Sequence, residues 1–225
     1  MNFRTDRPKE SEYMNIIIFG ATGRTGNELM LRALEAGHTV TAFVRNPSKI
    51  SVSHRNLNVE KGEATRYSDI NDVLSKEKYD AVFSVLGAKG MFKRDLPLID
   101  AMKNIVRAAE NNDTGKLIHV SFIGVHPDAG KLGFLYKYII PTFMTNLLRD
   151  HREKDAIITS SKLNWVLIQP PVLTSDVYNG NYIHEAEIHG DNSRKLKLSR
   201  SHLAEFMLKL ANDHTYDKKA VYVTE

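Results

Sequence analysis

The chain has 225 residues, with 31 Lys and Arg against 27 Asp and Glu for a formal net charge of +4, 42% hydrophobic residues and no cysteine. That length suits one α/β core, and no linker-like composition shift marks a second, so a single domain is expected over 14–225, with the polar stretch 1–13 set aside as an extension or tag. The missing cysteines exclude disulfides, thiolate metal ligands and cysteine nucleophiles, which leaves the reducing cytoplasm as the expected location. No apolar run approaches the roughly 20 residues of a membrane helix, no signal-peptide core opens the chain, and the basic residues are scattered, so neither a membrane nor a nucleic acid is expected as partner.

In chain order, Ile16–Phe19 is a β-branched and aromatic run that passes into Gly20-Ala-Thr-Gly-Arg-Thr-Gly26 and then into an amphipathic helix, Asn27–Ala36, closed by Gly37. Strands follow at His38–Val44 and Leu57–Lys61. A helix near Ser68–Lys76 leads to a strand at Asp80–Leu86, and a helix at Leu96–Asn111 to a strand at Lys116–Phe122. A long helix ending near Ser161 precedes the strand Trp165–Gln169. Alternation of this kind predicts an α/β fold, a Rossmann-like doubly wound parallel sheet with its site at the carboxyl ends of the strands.

Beyond Gln169 the pattern loosens. Pro170-Pro171 stops the sixth strand, and Thr174–Asn181 is rich in turn residues. Ile183–Ile188 and Arg194–Leu198 suggest a hairpin around Gly190-Asp191-Asn192, and Ser201 suggests an N-cap for a helix His202–Ala211 before a last strand Ala220–Val223. These segments read as a small C-terminal region that covers a substrate.

The glycine-punctuated turn has the properties a pyrophosphate needs, namely close backbone approach, free N–H donors and the positive end of a helix dipole. Gly20 turns the strand, Gly23 admits the phosphates, and Gly26 lets helix and sheet pack closely. After the second strand, where NAD enzymes place a carboxylate for the ribose 2′-hydroxyl, the chain has Val44-Arg45-Asn46-Pro47-Ser48-Lys49. A carboxylate repels a 2′-phosphate and a guanidinium engages it, so NADP is the expected cofactor, with Lys49 or Arg24 adding charge. Lys61-Gly62-Glu63-Ala64 and Ser84-Val85-Leu86-Gly87-Ala88 end the third and fourth strands where the rest of a dinucleotide would lie.

Short-chain dehydrogenases often deprotonate an alcohol with Tyr-x-x-x-Lys. That spacing is absent: Tyr136 is followed four residues on by Ile140, and Tyr138 by Thr142. Transfer of a hydride to a flavin or quinone-like acceptor needs less from the protein, which aligns two rings and excludes water. Ser121 is the best-placed donor to an acceptor carbonyl. His126 and His151 are weaker candidates, His119 reads as structural, and Phe122, Met91, Phe92 and Phe134 could wall a flat acceptor. The dispersed histidines predict no metal site.

The ordered set Gly20–Gly26, Val44-Arg45, Asp80-Ala-Val82 with Leu86-Gly87, Asn104-Ile-Val106, Asp150-His151, Leu163-Asn-Trp-Val166, Pro170-Pro171 and Leu198-Ser-Arg-Ser-His-Leu203 resembles the atypical short-chain dehydrogenases/reductases of the NmrA-like group, and within it the biliverdin reductase B, or flavin reductase, branch. The resemblance runs from about Met14 to the end. It implies that Gly20, Thr22, Gly23, Arg24, Thr25 and Gly26 hold the pyrophosphate and that Arg45 grips the 2′-phosphate. It further implies that Glu63 and Ala64 border the adenine, that Leu86 and Gly87 flank the ribose, and that the Pro170-Pro171-Val172 backbone lies by the nicotinamide. Three positions depart from the branch: Glu63 stands for an Asp, Ser121-Phe122 for a Thr-Ser pair, and Val172 for a His.

The expected activity is therefore an NADPH-dependent reductase acting on a flavin, quinone or similar conjugated small molecule. The alternative is a non-catalytic NADP(H) sensor of the NmrA type with a protein partner. A sugar-nucleotide epimerase is disfavoured by the missing Tyr-x-x-x-Lys and the small C-terminal region.

Overall fold

A computed structural model describes residues 13–88, 90, 92–189 and 196–225. The expected extension at 1–12, Met91 and the Gly190-Asp191-Asn192 turn lie outside the described residues.

The β-branched runs form the expected strands. β1 (Asn15–Phe19), β2 (Thr39–Val44), β3 (Leu57–Lys61), β4 (Ala81–Ser84), β5 (Lys116–Val120) and β6 (Trp165–Gln169) pair in parallel in the order 3-2-1-4-5-6. Strand order reverses between β1 and β4, and in such sheets the crevice outside the carboxyl ends at that point takes the ligand. Alternate side chains feed two cores. Ile16 and Ile18 of β1 pack with Leu29, Met30, Leu203 and Met207 of α1 (Arg24–Glu35) and α6 (Arg200–Asn212) on one face. Ile17 and Phe19 pack on the other with Ile70, Met102 and Ile105 of α2 (Tyr67–Lys76) and α3 (Leu96–Asn111). Both faces are covered, which is why these strands read as continuous apolar runs.

The long helix expected to end near Ser161 is α5 (Thr145–Thr159); before it, a π turn at Leu135–Ile139 runs into the short α4 (Ile140–Phe143), and Met144 separates the two helices. Elsewhere the C-terminal half departs from expectation in two ways. Among the described residues, the two strands of the expected hairpin do not pair with each other. β8 (Ile183–Glu185) instead pairs antiparallel with β10 (Lys219–Thr224), which itself joins β6 in parallel, and β9 (Lys197–Ser199) pairs in parallel with β7 (Val172–Thr174). The free edge of β10 and the short β7 after Pro171 offer non-local ladders that outcompete the local turn. Finally, α6 is capped by Ser199, whose Oγ accepts from His202 N at 3.2 Å, while the expected cap Ser201 donates to Glu28 on α1.

The Ser199–His202 corner also holds the chain end. His202, fully buried, accepts at Nε2 from the backbone N–H of Asn179 and of Gly180, both at 3.2 Å, and its Nδ1 lies 2.9 Å from Glu225 Oε1.

Candidate active site

At the end of β1 the chain turns through Gly20, whose φ of +100° a side chain would strain and whose Cβ would fall 2.9 Å from the Val85 carbonyl oxygen at the end of β4. A Cβ on Gly26 would fall 2.2 Å from Gly20 O, so α1 sits against the strand end with no room for one. Gly23 N donates to Gly20 O at 3.0 Å, and Gly23 O accepts the first helical bond from Asn27 N at 2.8 Å. The amides of Arg24, Thr25 and Gly26 therefore have no acceptor within the helix, no side chain caps them, and no acid lies in the first turn. The positive end of α1 is left open for an anion.

From this turn a cleft of about 180 Å³ runs across the ends of β2 and β3, with Gly20, Thr22, Arg45, Glu63, Ala64, Leu86 and Gly87 in its walls. Arg45 is exposed and, among the described residues, makes no ion pair. Asn46 Oδ1 accepts from Ser48 N and shapes the 3-10 turn that carries Lys49. The Glu63–Ala64 segment is pinned from two sides: Glu63 N donates to Asp69 Oδ2 at 2.9 Å, and Asn104 Nδ2 donates to Ala64 O at 3.2 Å. That backbone donor is the main reason the Asp69 carboxyl titrates below its usual range. Asp69 and Asn104 were not assigned a role from sequence, because their partners lie on other elements.

A second cavity, about 420 Å³, opens on the other side of Leu86–Gly87, walled by Thr25, Leu86, Gly87, Ser121, Leu147 and His151 among others. Leu86 and Gly87 are thus shared by both spaces, and a Cβ on Gly87 would meet nothing within 4 Å, so it would project into open space.

Side-chain parity explains the far wall. On β5 Leu117 packs against the α2–α3–α5 core, so His119 and Ser121 share that face, and on β6 Trp165 and Leu167 place Gln169 there likewise. Ser121 is 5% exposed, and its Oγ donates to Asp155 Oδ2 of α5 at 2.7 Å. Burial pushes the Asp155 carboxyl up to about 6, against the opposing pull of Ser121, Lys154 and Gln169. His151, one turn earlier on the helix, is pushed down to about 3 by burial and secondarily by Lys154, and is neutral near pH 7. Burial likewise lowers Lys154, against Asp155, Asp150 and Asp95, and it holds His119 well below its usual value. Asp155, Lys154 and Gln169 went unassigned from sequence; the i, i+4 spacing of His151 and Asp155 was the available signal. The loop before α3 is tied to the same helix, Arg94 pairing with Asp150 and Glu153 while Asp95 N donates to Asp150 Oδ2 at 2.8 Å.

The remaining expected residues fall elsewhere. Gly23, Arg24, Gly26, Pro170 and Val172 wall neither cavity. Arg24 lies close enough to Arg200 to help lower that guanidinium's pKa, after burial. Pro170 is buried, with its carbonyl accepting from Ile123 N at 3.1 Å, and Val172 is 63% exposed. Phe122 is not in the wall of the second cavity; its ring packs against the rings of His151 and Tyr136, at 5.9 and 6.5 Å between centroids. Phe92 and Phe134 are 71% and 69% exposed. His126 is a structural hydrogen-bonding residue, accepting from Asp128 N at 3.0 Å. Among the described residues no group of three or more His, Asp or Glu is placed to hold a metal, and no helix is long and apolar enough to cross a membrane.

The family model described as NAD(P)H-binding matches residues 20–214, which span the phosphate turn, both cavities and α6. The chain belongs to the NAD(P)H-binding family. It is 36% identical over 77 residues to the uncharacterized protein YwnB of Bacillus subtilis (strain 168), and 25% identical over 204 residues to dihydroflavonol 4-reductase of Callistephus chinensis. These matches span 33% and 77% of this chain, and 32% and 56% of those two proteins. Among solved structures, the oxidoreductase ylbE of Lactococcus lactis superposes with a TM-score of 0.78 at 18% identity, covering 94% of this chain and 91% of that one. A short-chain dehydrogenase/reductase of Veillonella parvula in complex with NADP gives 0.74 at 21%, covering 95% of each chain. ChuY, an anaerobilin reductase of Escherichia coli O157:H7, gives 0.75 at 17%, covering 94% and 97%. At these identities the structures share the fold. The family membership adds the binding of NAD(P)H.

Proposed function

We propose that the protein is an NADPH-dependent reductase acting on a flavin, quinone or related conjugated small molecule, on the flavin reductase branch of the NmrA-like group. The observation that carries this reading is the pair of cavities meeting at Leu86–Gly87, one with phosphate-binding features and the other with a hydroxyl, Ser121, in its wall. Gly20, Thr22, Gly23, Arg24, Thr25 and Gly26 would cradle the pyrophosphate, Arg45 the 2′-phosphate, Glu63 and Ala64 the adenine, and Leu86 and Gly87 the ribose, with Pro170 and Val172 near the nicotinamide. Arg45, exposed and without an ion pair among the described residues, and the lack of an Asp or Glu in 44–49 after the second strand favour NADP over NAD. When bound, the cofactor supplies a hydride.

The rest falls to the chain itself. A cavity of this size is within the range for small aromatic ligands. Ser121 can donate a hydrogen bond to an acceptor oxygen or nitrogen as charge develops there, with no phenol–lysine pair required. Anaerobilin and dihydroflavonol, the substrates named for two of the similar proteins, are conjugated or aromatic small molecules. The test is oxidation of NADPH by the full chain with FMN, riboflavin or a quinone, followed by absorbance. We expect turnover with at least one acceptor and a preference for NADPH over NADH. Tight NADPH binding with no oxidation above background would overturn the reductase reading in favour of a nucleotide sensor with a protein partner.

A further inference from the structure

Beneath Ser121 lies a buried carboxyl that hydride transfer alone does not need. Asp155 is 9% exposed and reaches the acceptor-side cavity only through the Ser121 hydroxyl, 2.7 Å away. Its other oxygen, Oδ1, and Gln169 Oε1 are both buried and, among the described residues, without a hydrogen-bond partner. An unpartnered oxygen on an ionised carboxylate, with a second unpartnered acceptor on the neighbouring Gln169, is costly in an apolar interior even with the Gln169 side chain drawing the carboxyl pKa down, whereas a neutral carboxylic acid brings its own O–H donor to the site.

We propose that Asp155 is the proton reservoir of the acceptor site, delivering its proton through Ser121 to the reduced acceptor. The inference rests on the reductase reading above. An acceptor that has taken up a hydride is an anion one proton short. The Ser121 O–H bond breaks as the new bond to the acceptor heteroatom forms, Ser121 Oγ takes the proton from the Asp155 carboxyl, and Asp155 is left as a carboxylate that solvent reprotonates after product leaves. No oxidant or reductant beyond the nicotinamide is involved.

The surroundings suit this role. Asp155 faces Ser121 from β5 and Gln169 from β6. The charged or titratable groups nearby are Lys154 and His151 on its own helix and His119 on β5, beside Lys154. The two histidines are held neutral by burial, so neither competes as the acid near pH 7. The carboxyl, pushed up to about 6, is the one of these groups poised to exchange a proton close to neutrality.

The experiment has two readouts. Infrared difference titration of the nucleotide-free protein follows the protonated carboxyl band; the pH profile of kcat for NADPH oxidation with a quinone follows delivery. Expected is a band with a midpoint near 6 that Asp155→Asn removes and Ser121→Ala shifts, and a wild-type kcat that declines above that midpoint. Asp155→Asn should lower kcat about tenfold and flatten the profile, with NADPH affinity unchanged and with Asp155→Glu restoring the pH dependence. A carboxyl that titrates in the ordinary range overturns the relay, as does an Asp155→Asn protein with the wild-type profile. If the variant does not fold, Ser121→Ala decides alone: an unshifted band and unchanged profile overturn the relay. Wild-type protein that oxidises no NADPH with any acceptor overturns the reductase reading and the relay together, whereas turnover without the band overturns the relay only.

Discussion

The two sides of Leu86–Gly87 are built in different ways. The nucleotide side is made mostly of backbone: glycines at Gly20 and Gly26 and the open amides of α1, all within a few residues of one another. The acceptor side is made of side chains from β5, β6 and α5, brought together across tens of residues and buried with polar groups that burial shifts away from their usual pKa values. The second side stores a pH-dependent cost.

That contrast can be broken most strongly by acid. His151 has a folded pKa of about 3 against 6.5 for the unfolded chain, so its contribution is intact above 6.5 and is lost as pH falls toward 3. The linkage is on the order of 5 kcal/mol. Asp155 has the opposite sign: its raised pKa favours the folded state below about 4 and that advantage disappears as pH rises through about 6. The two nearly cancel between pH 6.5 and 4, so thermal unfolding midpoints should change little there and fall from about pH 4 toward 3, where of this pair only the histidine still titrates. His151→Gln should flatten that fall while leaving NADPH affinity at pH 7.5 unchanged. An equal slope in the variant would place the acid sensitivity elsewhere.

The next effect belongs to the backbone side. Gly26→Ala puts a Cβ into the Gly20 carbonyl, which the main chain can relieve only by parting α1 from β1. A loss of roughly 3 kcal/mol is expected, read as about a hundredfold weaker NADPH binding in fluorescence titration. Arg45→Ala should weaken NADPH binding about tenfold and leave NADH unchanged, since a single exposed guanidinium–phosphate pair is worth on the order of 1–2 kcal/mol. Equal losses for both nucleotides would remove Arg45 from the 2′-phosphate. The smallest effect separates two serines in one helical turn. Ser199→Ala should cost about 1 kcal/mol in denaturant unfolding through the lost cap on α6, and Ser201→Ala less than half of that.

The parallel doubly wound sheet, the glycine-rich turn after its first strand and the placing of Arg45, Glu63 and Gly87 around one cleft were all legible from sequence. Each depends on short-range signals, such as β-branched runs, glycine spacing and the residue after a strand. Ser121 was legible as a polar residue at a strand end, but its partner was not, because Asp155 is 34 residues away on a separate element, α5. The hairpin at Ile183–Leu198 was misread for a similar reason. Turn propensity is a local preference, and the open edges of β10 and β7 supplied longer-range ladders that satisfied more backbone groups.

The sequence by itself determined the glycine-turn half, because its open main-chain geometry comes from one continuous segment. Only the tertiary structure decided the half around Ser121. There the burial that lifts Asp155, silences His151 and joins Ser121 to a carboxyl exists only once β5, β6 and α5 have packed.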